Sequence, residues 1–126
     1  MLWRHLEETF DPNYHYLRSV VEILGLCHTV MVEEKNGKTH FNSSSPDELA
    51  LVNAAKHFGF AFINRDEDNN IIVSDNGKEI KYKLLNVIEF SSSRKRMTAI
   101  VKMPDERIVV MCKGADSIII PRLKDD

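Results

Sequence analysis

Ile80-Lys81-Tyr82-Lys83-Leu84-Leu85-Asn86-Val87-Ile88-Glu89-Phe90 is the stretch on which the fold turns, together with Met97-Thr98-Ala99-Ile100-Val101-Lys102-Met103 and Ile108-Val109-Val110-Met111-Cys112-Lys113 downstream of it. In the first segment Ile80, Tyr82, Leu84, Ile88 and Phe90 fall at even spacing, the two-residue period of a strand rather than the 3.6 of a helix. Leu85 and Val87 are apolar at the intervening positions, so this part of the sheet is expected to be covered on both faces. Met97, Ala99, Val101 and Met103 alternate in the second segment, and Pro104-Asp105-Glu106 turns the chain into the third.

Working outward, Phe60, Phe62 and Ile71 to Val73 read as further strands, separated by polar turns at Asp66 to Asn70 and at Asp75-Asn76-Gly77. Thr29 to Val32 reads as another, and Asn36-Gly37 is a hairpin signal leading back through Thr39 and Phe41. Two helices interrupt this pattern. Leu17, Val20, Val21 and Leu24 recur at spacings of three and four, which predicts a helix over Tyr16 to Leu26. Ser45-Pro46-Asp47-Glu48 supplies an N-cap serine, a first-turn proline and a glutamate three residues after the cap. Leu51, Ala54, Ala55 and Phe58 follow at helical spacing, and Gly59 suits the left-handed position beyond the helix end. A last short helix follows Gly114, with Asp116 as its expected N-cap and Pro121 shortening or breaking it. Residues 1–14 are expected to form a loosely ordered lead-in. The fold class is therefore α+β, a mainly antiparallel sheet with flanking helices, in a single domain over residues 1–126.

Composition narrows the function. The formal net charge is -2 and the pI near 6.2, without the basic footprint of a protein that grips a nucleic-acid backbone, so nucleic acid is not an expected partner. No apolar run approaches the roughly 18 residues of a spanning helix. Cys27 and Cys112 lack a CxxC partner or a metal-like spacing and read as reduced thiols of a cytosolic protein.

Three short patterns carry the chemistry. Glu48 either folds back on its own N-cap amide or accepts from the exocyclic amine of an adenine. Phe90, at a strand end, is either core or an exposed platform on which a purine stacks. Arg94-Lys95-Arg96 is either a solvated turn or a source of charge for phosphates, and the serine runs Ser43 to Ser45 and Ser91 to Ser93 read as loops. Lys113 caps an apolar strand, where an ammonium needs something to point at, and Gly114 permits close approach to the backbone.

Taken in order, SPDE at Ser45 to Glu48, EFSSSRKRM at Glu89 to Met97 and CKGADS at Cys112 to Ser117 resemble the nucleotide-binding domain of P-type ATPases, specifically the type IV, phospholipid-transporting group. The likeness runs from about Leu26 to Leu123. It implies that Phe90 stacks on adenine, that Glu48 meets the amino edge, and that Lys95, Lys113 and Gly114 line the pocket near ribose and phosphates, with Ser92 and Met97 as wall residues. It further implies ATP as substrate with ADP as a second ligand, and Mg2+ held in the full-length enzyme by residues outside this chain. The phosphorylation and actuator domains would be partners in the same polypeptide, and phospholipid would be handled by membrane segments absent here. No catalytic residue and no metal ligand is expected within the chain, because the DKTGT aspartate is missing from it. The domain would be a monomer in isolation, truncated at its C-terminus and cytosolic within a multi-pass membrane protein. A cation-pumping relative and a non-catalytic protein-interaction domain are the alternatives.

Overall fold

The computed structural model describes residues 14–43 and 45–124, so all but Tyr14 of the expected lead-in lies outside the described residues. Helix α1 (Tyr14–Leu26) is followed by a hairpin of β1 (Met31–Lys35) and β2 (Lys38–Asn42), then by α2 (Pro46–His57). Five strands come next: β3 (Phe60–Arg65), β4 (Asn70–Asp75), β5 (Lys78–Ile88), β6 (Arg96–Lys102) and β7 (Ile108–Gly114). They pair with their sequence neighbours, antiparallel throughout, in one sheet of order β3-β4-β5-β6-β7. The β1–β2 hairpin is a separate two-stranded sheet. A four-residue helix α3 (Asp116–Ile119) runs into a 3₁₀ turn (Ile120–Arg122) at Pro121, as the proline dictates. Ala115 occupies the cap position of α3 and Asp116 is its first residue, so the expected aspartate cap is displaced by one.

The turn chemistry acts as the residues require. Asn36 and Gly37 both have positive φ (52° and 76°), the mirror-image turn that matches the twist of paired strands. Helices α1 and α2 lie against one face of the sheet and bury Val21, Leu26, Val52 and Ala55 against Phe60, Phe62, Ile71, Val73, Tyr82, Ala99 and Val101. Burying a ring the size of Phe60 stabilises by about 1.5–3 kcal/mol. Its ring packs onto Gly25 of α1, where a Cβ would stand 2.4 Å from Phe60 Cδ2. Arg18 of α1 bridges to Asp75 at the β4–β5 turn through both terminal guanidinium nitrogens and lies 5.1 Å over the Phe60 ring.

Two bulges correct the simple alternation. Ile63 is the extra residue between the pairs Phe62↔Val73 and Asn64↔Ile72, and Leu85 the extra residue between Leu84↔Val101 and Asn86↔Ile100. Because side chains alternate with period two, one extra residue reverses which ones face the helices. On β3 the inward set passes from Phe60 and Phe62 to Arg65, and on β5 from Tyr82 and Leu84 to Val87. Leu85 and Ile88 are left on the outer face, with 42% and 44% of their surface exposed, beside Ile108 and Val110 at 64% each. The expected cover on both faces of β5 is therefore absent among the described residues. Ile88 ends the strand, and Phe90 stands beyond it.

Candidate functional site

A cleft of about 690 Å³ opens where the N-terminus of α2 faces the ends of β6 and β7, within the usual size range of small-molecule sites. Its walls are Thr29, Ser45, Asp47, Glu48, Leu51, Glu89, Phe90, Met97, Lys113, Gly114 and Ala115. Of the seven residues singled out from the sequence, the cleft brings together Glu48, Phe90, Met97, Lys113 and Gly114. Ser92 and Lys95 sit exposed on the adjoining loop and are not among its walls.

Glu48 is placed by α2. Ser45 is the N-cap in extended conformation, its hydroxyl accepting from the Glu48 amide at 3.3 Å. The reciprocal half of a capping box is not made: the Ser45 amide donates instead to Ser43 Oγ at 3.1 Å. Freed from the cap, Glu48 Oε1 accepts from Thr29 Oγ1 (2.9 Å) and Ser43 Oγ (2.8 Å). Partial desolvation opposes its charge, but the hydroxyls of Ser43 and Thr29, the Thr29 amide and the nearby Lys113 outweigh that, holding its pKa below the usual glutamate range.

Phe90 presents 62% of its surface to solvent, which excludes the reading of this ring as core. The loop carrying it is braced by Arg94, whose guanidinium donates to the carbonyls of Ile88, Glu89 and Arg96 and to Thr98 Oγ1 at 3.3–3.4 Å. Arg96 in turn donates to the Arg94 carbonyl at 3.1 Å. Two of the three basic residues thus hold the loop's own backbone. Lys95, at φ 54°, contributes its carbonyl to the Ala115 amide (3.1 Å). Gly114 is required at that crossing, because a Cβ there would stand 2.5 Å from the Lys95 oxygen and 2.8 Å from Arg96 Cα. The close approach is made by β6 itself.

Lys113 comes off the end of β7 with its ammonium nitrogen shielded from solvent and without a hydrogen-bond partner among the described residues. Desolvation lowers its pKa below the ordinary lysine value, against the opposing influence of Cys27 and Glu48. A shielded ammonium with no acceptor is costly, and it is the polar atom in the cleft that most needs an incoming oxygen or anion. Met97, almost fully buried, belongs to both the cleft wall and the core. Among the described residues no group of three or more His, Cys, Asp or Glu is placed to hold a metal ion.

Behind the cleft, the link between α1 and β1 is locked. Arg65, turned inward by the β3 bulge, donates to the carbonyls of His28 (2.6 Å) and Val30 (3.3 Å). His28 Nδ1 accepts from the Val30 amide at 3.1 Å, which leaves Nε2 to donate to the Gly25 carbonyl at 2.9 Å. Burial, and then the charge of Arg65, push the His28 pKa down to about 3. Cys27, buried beside it, is pushed up to about 11 by desolvation. Thr29, Ser45, Asp47, Leu51, Glu89 and Ala115 are cleft residues that the sequence reading did not single out for the site. Leu51 follows Glu48 by three and so shares its helix face, a signal that could have found it.

The profile of the family described as "P-type ATPase, cytoplasmic domain N" matches residues 16–125. Phospholipid-transporting ATPase IC of Xenopus tropicalis is 48% identical over 105 residues, 83% of this chain and 8% of that protein. Phospholipid-transporting ATPase ID of Homo sapiens is 46% identical over 114 residues, 90% of this chain and 9% of that protein. Phospholipid-transporting ATPase DRS2 of Saccharomyces cerevisiae is 38% identical over 127 residues, 99% of this chain and 9% of that protein. The chain thus spans under a tenth of the length of these relatives.

Proposed function

Because this chain belongs to the family of P-type ATPase cytoplasmic N domains, we propose that the cleft holds ATP by its adenosine end. The observation that carries the proposal is the shielded ammonium of Lys113, without a partner among the described residues, in the same cleft as an exposed Phe90 ring and the Glu48 carboxylate. A flat ring matches a purine face, a carboxylate matches its amino group, and the ammonium meets an oxygen of ribose or inner phosphate. The remaining charges of the cleft are Asp47 and Glu89, both exposed. Carboxylates repel a polyphosphate, so affinity should come from the nucleoside, with the outer phosphates projecting away. In the longer protein this geometry would present the terminal phosphate to the nucleophile of a separate phosphorylation domain, with magnesium held there, and the energy would serve phospholipid transport. That assignment of substrate follows the relatives, which are phospholipid-transporting ATPases. It is favoured over a cation-pumping enzyme by the same likeness.

The test is calorimetric titration of the chain with ATP and ADP, with and without magnesium, beside a phosphate-release assay. The expected result is similar, modest affinity for both nucleotides, insensitivity to magnesium and no turnover. Amide shifts on titration should cluster at Phe90, Glu48 and Lys113. Shifts scattered elsewhere, or none, would point to a protein-interaction domain instead.

A further inference from the structure

Two hydroxyls from separate segments converge on one oxygen of Glu48, Thr29 from the α1–β1 link and Ser43 from the β2–α2 loop. Ser43 Oγ already accepts from the Ser45 amide, so its single proton is committed to Glu48. We propose that Thr29 and Ser43 are positioning residues that keep Glu48 ionised and aimed as a pure acceptor, and so set the preference of the cleft for a 6-amino purine over a 6-oxo purine. This rests on the adenosine reading above and adds the device that makes the site selective.

An ionised carboxylate has lone pairs and no proton. Opposite an amino group it gains a hydrogen bond, and opposite a carbonyl it places two acceptors face to face, which a shielded site penalises. A protonated Glu48 could donate, and the discrimination would fade. Donation by two hydroxyls to the carboxylate opposes protonation. The charges around Glu48 are Lys113 from β7 and Arg65 from β3, which favour ionisation, and Asp47 on its own helix and Glu89 on the Phe90 loop, which line the same cleft. His28, held neutral, and Cys27, held as a thiol, complete the set.

Thr29 is itself fixed from behind. The carbonyls of His28 and Val30, on either side of it, are both held by Arg65. The hydroxyl is thereby carried on a backbone that cannot swing away without breaking those bonds. Thr29 lies 19 residues from Glu48 in sequence and meets it only through this fold.

The experiment compares wild type with Thr29→Val, Ser43→Ala, their combination and Thr29→Ser. The readouts are the ATP to GTP affinity ratio between pH 5 and 7.5 and the carbon-13 titration of the Glu48 carboxyl without nucleotide. Removing both hydroxyls should raise the Glu48 midpoint and lower the ratio by about tenfold, the size of a hydrogen bond to a charged group. Its binding of ATP should become pH-dependent at the acidic end. Thr29→Ser should restore both readouts, which a purely packing role of threonine would not predict. Ser43→Ala, at a half-buried loop position, tests the same point if Thr29→Val fails to fold. An unchanged Glu48 midpoint, or an unchanged ratio in variants that still bind ATP, would overturn the proposal alone. A wild type that binds neither nucleotide would overturn the adenosine reading and the selectivity with it.

Discussion

Arg65 donates to two backbone carbonyls within 3.3 Å and approaches the His28 ring nitrogen at the same distance, whereas the Lys113 ammonium, also shielded from water, has no acceptor among the described residues. Both cations are desolvated, and both have pKa values lowered by it. The Arg65 region is largely closed on itself: its Nε and Nη2 donate to the carbonyls of Val30 and His28, and the neutral His28 ring uses both of its nitrogens. The cleft instead holds an exposed aromatic ring and an ammonium that meets no acceptor among the described residues. The difference teaches where to look for function in a small domain, since polar groups that serve only the fold are satisfied by the fold.

The largest test of this contrast is Arg65→Met, which strips partners from the carbonyls of His28 and Val30. We expect a loss of about 3 kcal/mol in urea unfolding. A loss under about 1 kcal/mol would place Arg65 with the surface residues and dissolve the contrast. Next comes acid. His28 has a folded value of about 3 against 6.5 for the free side chain. Between those values the unfolded chain takes up a proton that the folded chain does not, so stability falls as pH falls through that window and levels off below it. By pH 5 about 2 kcal/mol should be gone, measurable as a lower urea midpoint than at pH 7. The Glu48 contribution, with its lowered pKa, is lost only further down, below the ordinary glutamate range. On the other side of the contrast, Phe90→Ala should weaken ATP binding by about 1.5 kcal/mol, roughly tenfold, with the thermal midpoint unmoved. A drop in stability instead would make the ring part of the core. The smallest effect is expected for Lys113→Met: about fivefold weaker ATP binding, with stability unchanged or slightly raised because a desolvated charge is gone. A marked destabilisation would show that its ammonium is satisfied in the fold after all.

Much of this arrangement is legible in the chain. The α2 start is written in Ser45-Pro46, the hairpin turns in Asn36-Gly37 and Asn76-Gly77, and the break after α3 in Pro121, because each has a local steric cause. Five of the seven expected residues line the cleft, at strand and helix ends whose positions the hydrophobic pattern and the cap signals predict. What could not be read depends on distant partners. Whether Glu48 closes a capping box turned on Ser43 reaching the Ser45 amide first. Thr29 carries no local mark of its contact. Neither Ile63 nor Leu85 is a glycine or sits by a proline, so nothing in the sequence announces a bulge, and the even spacing from Ile80 to Phe90 looked unbroken. Ser92 and Lys95 enter through the family resemblance and are not among the walls of the cleft, while the loop turns on Arg94.

The two bulges have a consequence for how such a chain tolerates change. Were the bulges ironed out with Ile63 and Leu85 kept in the chain, every residue beyond them would change face: Arg65 and Val87 would turn outward, Asn64 and Asn86 inward. Deleting Ile63 or Leu85 would not do this, because the residues after each bulge already hold the register of a strand without it, Asn64 opposite Ile72 and Arg65 opposite Ile71, Asn86 opposite Ile100 and Val87 opposite Ala99. The spare residue on each strand is thus the place where β3 and β5 can shorten by one without changing which side chains face the helices.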